Sequence, residues 1–205
     1  MPGMIDLYFA PTANGRRALL ALEECELPYQ LHRVELGRPK PHGLLEANPL
    51  GAIPTIVDSE GPGGRRLELT QSVAIVLYVA EKAGRFLPSD PLGRARVHEW
   101  LLHVATDVAA ASSSIYYLSN QLPERPAAAI RLFEERLARF LRNIDQRLGQ
   151  VEHLAGELSV ADLAFFPNYL ARRSTVEEIG GLTHLRRWAD RMAARPAGER
   201  MLKMG

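Results

Sequence analysis

The chain has 205 residues, 46 % of them hydrophobic and 24 % charged, and its 25 basic and 24 acidic side chains leave a formal net charge of +1. That composition excludes a disordered or fibrous chain, and a charge so near zero excludes a bulk field that would gather nucleic acid or an anionic lipid surface. The length suits one domain or two small ones, with enough chain for a sizeable core.

Cys25 is the single cysteine and has no internal disulfide partner. No Cys/His cluster stands at metal-ligand spacing, so no metal site is expected. No run approaches the ~20 apolar residues of a membrane span. The opening Met1-Pro2-Gly3-Met4-Ile5 lacks the charged and apolar blocks of a signal peptide. A reducing cytoplasm, with neither a membrane nor a nucleic-acid partner, is the expectation.

Residues 5–9 are rich in β-formers and read as a strand, interrupted by a loop at Pro11, Thr12, Ala13, Asn14 and Gly15. From Arg16, the positions of Leu19, Leu20, Leu22 and Leu27 suit an amphipathic helix that Pro28 ends. Residues 29–36 alternate as a half-buried strand does, and a Pro/Gly-rich loop with Arg38, Lys40 and His42 follows. Leu44, Leu45 and Ala47 suggest a turn or two of helix.

Pro54 heads the β-branched run Thr55, Ile56, Val57, a place where a strand tolerates proline. Residues 54–58 and 66–69 read as two strands joined by the Gly/Pro loop 59–64, and residues 71–82 as a helix ended by Gly84. The order β-α-β-α-β-β-α describes an α/β unit over 1–84. Pro88 and Pro91 mark 85–92 as a linker.

Strand signals then stop, and 93–205 reads as all-α. A long helix over 93–117 runs through Val97, Trp100, Leu101 and Val104 into the small-residue run Ala109 to Ser114, ending at Tyr116 and Tyr117. Asp107 is its candidate for a cross-subunit contact. A second long helix after Pro126 carries the stripe Ile130, Phe133, Leu137, Phe140, Leu141, Ile144 and Leu148. Ser159 and Asp162 have the spacing of a capping box, with Leu158 and Leu163 as its staple, so Asp162 reads as structural and not as a catalytic acid. Leu185, Trp188 and Met192 make a last amphipathic helix before Arg195-Pro196.

Two of these motifs, Asn48-Pro49-Leu50-Gly51-Ala52-Ile53-Pro54 and Leu69-Thr70-Gln71-Ser72, resemble in sequence and spacing the N-terminal half of the cytosolic glutathione S-transferase family. The Ser159/Asp162 box and the Arg195-Pro196 ending resemble its C-terminal half. The resemblance implies a thioredoxin-like N-terminal domain with a cis Ile53-Pro54 bond, an all-α helical-bundle domain with a second-substrate pocket, and a homodimer. It implies glutathione as co-substrate, held by the backbone of Ile53, by Gln71 and Ser72 at the γ-glutamyl end, and by Lys40 at the glycyl end. The usual glutamine before that lysine is replaced by Pro39.

A glutathione enzyme must favour thiolate over thiol, and a hydroxyl or amide donor aimed at sulfur does so. The run Leu7-Tyr8-Phe9-Ala10-Pro11-Thr12 resembles the serine-type branches with Thr12 in the serine position. Asn14 stands where cysteine-type branches carry a nucleophile, and asparagine forms no mixed disulfide. The pairing of Thr12 with Asn14 resembles bacterial Nu/theta-like members. Thr12 is the expected catalytic donor and Asn14 the second, with Tyr8 as the alternative and Cys25 as a packed bystander.

The resemblance implies conjugation of glutathione to a small electrophile. Its alternatives are glutathione-dependent reduction of a disulfide or a peroxide and, from another class, a non-catalytic ligand-binding or assembly module.

Overall fold

The computed structural model describes residues 4–204. They divide into two units, one formed by 4–87 with 193–204 and the other by 88–192. Among the described residues no helix is long and apolar enough to cross a membrane.

The first unit is thioredoxin-like. Its elements run β1 (Ile5–Phe9), α1 (Ala13–Cys25), β2 (Tyr29–Arg33), α2 (His42–Ala47), β3 (Thr55–Asp58), β4 (Leu67–Thr70) and α3 (Ser72–Ala83), the order the sequence implies. The sheet has the order β2-β1-β3-β4. β1 pairs parallel to β2, while β3 runs antiparallel to both β1 and β4.

Alternation along β1 buries Ile5, Leu7 and Phe9 and leaves Asp6 and Tyr8 half-exposed on the other face. Leu19, Leu20 and Leu22 of α1 and Ile75, Val76 and Val79 of α3 are fully buried, and the two helices pack on each other. Burying each such side chain contributes roughly 1.5–3 kcal/mol relative to exposure.

α1 begins three residues before the helix expected from Arg16, because Thr12 caps it: its side-chain oxygen accepts from the Gly15 N–H at 3.1 Å. Residues 13–15 are therefore helical, not loop. Gly15 is required by proximity, since a Cβ there would lie 2.1 Å from the Ala10 carbonyl oxygen. β2 is shorter than the expected 29–36, although Val34 still donates to Phe9 O at 2.7 Å.

The last helix, α10 (Pro196–Lys203), belongs to the first unit instead of closing the helical one. Arg195 grips Glu24 with two bonds of 2.5 and 2.8 Å, and Arg200 pairs with Glu23. Tyr29 also donates to Glu23, and Arg33 donates to Met204 O at 2.8 Å. The two buried glutamates of α1 thus hold the returning chain.

The second unit is all helical: α4 (Pro91–Leu102), α5 (Ala109–Asn120), α6 (Ala127–Leu148), α7 (Val160–Ala171), α8 (Arg173–Ile179) and α9 (Thr183–Ala193). α4 starts at Pro91 because Asp90 caps it, accepting from the Gly93 N–H at 2.7 Å. The helix expected over 93–117 runs from α4 into α5 through a π-helical segment, His103–Val108, with helical dihedrals at both junctions. Asp107 turns back within that segment to His103 at 2.8 Å.

Ser159 and Asp162 form the capping box that opens α7. Asp162 does more than cap. Fully buried, its carboxylate accepts from the Ser159 N–H and hydroxyl, the Leu154 N–H and the Trp188 indole, all within 3.0–3.1 Å. Trp188 stacks on Phe165 with ring centroids 5.0 Å apart, so one carboxylate ties a loop, a helix start and the aromatic core together. Asp162→Ala leaves those donors unpaired and is expected to cost about 3–5 kcal/mol in urea denaturation. Asp162→Asn, which keeps an acceptor oxygen, should cost less.

Candidate functional site

Strand pairing gathers the chemistry-bearing segments at one end of the first sheet. Tyr8 is opposite Thr55, and Thr55 is opposite Thr70. The exit of β1 toward Thr12, the entry of β3 after Ile53-Pro54 and the exit of β4 into Gln71-Ser72 are therefore neighbours.

The Ile53-Pro54 peptide bond is cis. Asn48 shapes the loop before it: its Nδ2 donates to Ala52 O at 3.1 Å and to Thr55 Oγ1 at 3.2 Å, and its Oδ1 accepts from the Leu50 N–H at 3.2 Å. Among the described residues no backbone group bonds the N–H or C=O of Ile53. The stem of Lys40 lies against the same loop, its Cγ 3.2 Å from where a Cβ on Gly51 would be.

Gln71 is exposed at the mouth of α3 with φ 69° and ψ 109°, a conformation costly to a residue with a Cβ. Its side chain makes no cap bond to the helix. A helix start of this kind favours an anion.

Ser72 and Asn14 meet across the two helix starts, with Ser72 Oγ 3.4 Å from Asn14 Oδ1. Between them lies Arg17, whose Nη1 donates to Asn14 Oδ1 at 2.8 Å and to Ser72 Oγ at 3.2 Å. Arg17 is only 3 % exposed, and burial lowers its pKa to about 10, so it is charged at neutral pH. No motif in the sequence singles out Arg17. The usable signal was helical spacing, which puts residue 17 three positions after Asn14 and on the face that Leu20 buries.

Thr12 is half-buried beyond the end of β1. Its oxygen accepts the cap bond, and its hydroxyl hydrogen remains available to donate. Tyr8 lies on the opposite face of the sheet from the helix core, stacked on His32 at 4.9 Å. A Cβ on Gly43 of α2 would fall 2.4 Å from its hydroxyl. Burial, then Asp6 and Glu46, raise the Tyr8 pKa. Cys25 is buried at the far end of α1, and burial pushes its thiol up to about 11, so it is a thiol and not a thiolate at neutral pH.

The family described as "Glutathione S-transferase, N-terminal domain" matches residues 13–82. Along nearly its whole length the chain is similar to the disulfide-bond oxidoreductase YfcG of Escherichia coli (strain K12), with 36 % identity over 208 residues, covering 98 % of this chain and 95 % of that protein. It is also similar to glutathione S-transferase GstB of the same organism, with 31 % identity over 198 residues and 91 % of each chain covered. This chain belongs to the glutathione S-transferase family.

The fold of this transferase-family chain is shared with a glutathione transferase family member from Pseudomonas fluorescens pf-5 solved with two glutathione bound. That similarity has a TM-score of 0.88 at 29 % identity and covers 98 % of this chain and 93 % of that one. Gln71→Gly releases the positive-φ strain and, after the entropy glycine adds to the unfolded chain, is expected to raise stability by about 1 kcal/mol in urea denaturation.

Proposed function

We propose that this protein is a glutathione-dependent disulfide-bond reductase in which glutathione supplies both attacking sulfurs. The observation that carries this reading is the sulfur chemistry of the first unit: hydroxyl and amide donors stand at the start of α1, and the one protein thiol, Cys25, is buried and protonated. The whole-length similarity to a disulfide-bond oxidoreductase supports it.

Glutathione is held by its peptide backbone against Ile53, with its γ-glutamyl carboxylate at the start of α3 beside Gln71 and Ser72 and its glycyl end toward Lys40. The Thr12 hydroxyl donates to its sulfur and Asn14 assists, which lowers the thiol pKa. The thiolate attacks one sulfur of the substrate disulfide, breaking that S–S bond and forming a mixed disulfide, and the leaving thiolate takes a proton from solvent. A second glutathione thiolate then attacks the glutathione sulfur of the mixed disulfide. Glutathione disulfide and the second substrate thiol are released, so two glutathiones are oxidised and one disulfide is reduced.

The same thiolate adding to a carbon electrophile is the second reading, supported by the similarity to GstB. A panel of a small disulfide, a chloronitrobenzene and a hydroperoxide separates these reactions. Disulfide reduction is expected to dominate, and conjugation without reduction selects the second reading. The homodimer belongs to the same proposal, and light scattering at micromolar concentration is expected to give twice the chain mass.

Thr12→Ala should raise the pKa of bound glutathione and lower turnover by ~10²-fold while sparing affinity, with Thr12→Ser tolerated. If Tyr8→Phe abolishes turnover and Thr12→Ala does not, the donor assignment falls. Gln71→Ala should weaken glutathione binding by about 1–3 kcal/mol in calorimetry. Cys25→Ala should leave disulfide turnover within about twofold and cost only about 1 kcal/mol of stability, and the native Cys25 thiol should resist alkylation at pH 8, well below its pKa of about 11.

A further inference from the structure

We propose that Arg17 is a positioning residue of the thiol site, gripping the Asn14 side chain by its oxygen so that the amide's Nδ2 is its free, donating end. The inference rests on the glutathione reading above and adds to it a residue that touches neither sulfur nor carboxylate.

The chemistry of the contact decides which way Asn14 faces. A guanidinium has only donors, so the group 2.8 Å from Arg17 Nη1 is the Asn14 oxygen and not its nitrogen. Ser72 completes a triangle: its Oγ accepts from Arg17 at 3.2 Å and lies 3.4 Å from the same Asn14 oxygen. Both acceptors at the two helix starts are thus turned inward, toward one buried cation. The exposed side of Asn14 is left with Nδ2, which can only donate.

The sign of that choice matters for sulfur. A donor facing a thiol favours the thiolate and lowers its pKa, whereas an amide oxygen facing it favours the protonated form and raises it. An asparagine without an anchor samples both orientations, because its two ends are nearly the same size. Arg17 is suited to hold one of them: it is anchored in the α1 core at 3 % exposure, and its pKa of about 10 keeps it charged through the neutral range. It therefore biases the thiol through Asn14.

The test is the ultraviolet absorbance of thiolate in bound glutathione, titrated against pH in the full-length protein. The proteins compared are wild type, Arg17→Met, Arg17→Lys, Asn14→Ala and the Asn14→Ala/Arg17→Met double variant. Arg17→Met is expected to raise the thiol pKa by about one unit, a tenfold loss of thiolate below the pKa, and Arg17→Lys to raise it by less.

In the Asn14→Ala background, adding Arg17→Met should change the thiolate fraction by less than about threefold, because the residue through which it acts is gone. An unchanged pKa in folded Arg17→Met overturns the proposal, and so does a full tenfold effect that persists without Asn14. If Arg17→Met fails to fold by circular dichroism, Arg17→Lys is read in its place: about threefold loss of thiolate supports the grip, and a wild-type titration overturns it. Glutathione binding by wild type is measured first in calorimetry. Its failure sinks the functional reading itself and this inference with it, whereas a normal wild type with unaltered variants sinks only the role of Arg17.

Discussion

β3 lies between β1 and β4, and the ladder bonds on its two sides allow one register only. A slip of one residue would turn Ile56 out of the core and bring Thr55 and Val57 onto the wrong faces. Because that register is held, the loop ending at Pro54, the turn into Thr12 and the turn into Gln71 arrive at the same end of the sheet. These segments are far apart in sequence, and each is ordinary alone. Their chemistry begins with being neighbours.

Once they meet, polar groups do the fine placement. Asn48 satisfies Ala52 O, Thr55 and Leu50 N–H and so shapes the approach to Ile53. Arg17 bonds to both Asn14 and Ser72, joining the first turns of α1 and α3. In each case a buried polar side chain whose bonds are made specifies one geometry, and breaking it leaves desolvated donors or acceptors behind. Glu23 and Glu24 follow the same logic at the other end of α1, where their carboxylates hold α10 through Arg200 and Arg195. In the helical unit Asp162 binds a loop, a cap and an indole at once.

The sulfur chemistry is shaped by what α1 does with its polar residues. Thr12 spends its oxygen on the helix cap and keeps its hydrogen to donate. Cys25, at the opposite end of the same helix, is buried, and that loss of solvent holds it as a thiol. That arrangement supports the proposed reading, in which the reacting sulfur arrives with the co-substrate.

Much of this was legible in the amino-acid order, because it depends on local physics. Period-2 and period-3.6 patterns, together with Pro28, Gly84 and the Ser159/Asp162 spacing, mark the elements and their ends, and the motifs around Pro54 and Gln71 point to the ligand. The misses have local causes too. Thr12 acts as a cap, so residues 13–15 joined α1, and the helix read over 93–117 carries a π segment at 103–108 that periodicity does not mark. What composition and spacing could not supply is which arginine is buried. Arg16 and Arg17 are adjacent and identical in chemistry, yet Arg17 turns inward to Asn14 and Ser72 because α3 is packed there. Likewise, the return of α10 to the first unit depends on Glu23 and Glu24 finding arginines more than 170 positions away, at separations of 177 and 171 residues. A carboxylate's partner across such a distance is set by the packed chain, since only tertiary structure buries the two glutamates and brings half-exposed arginines from the far end of the chain over them.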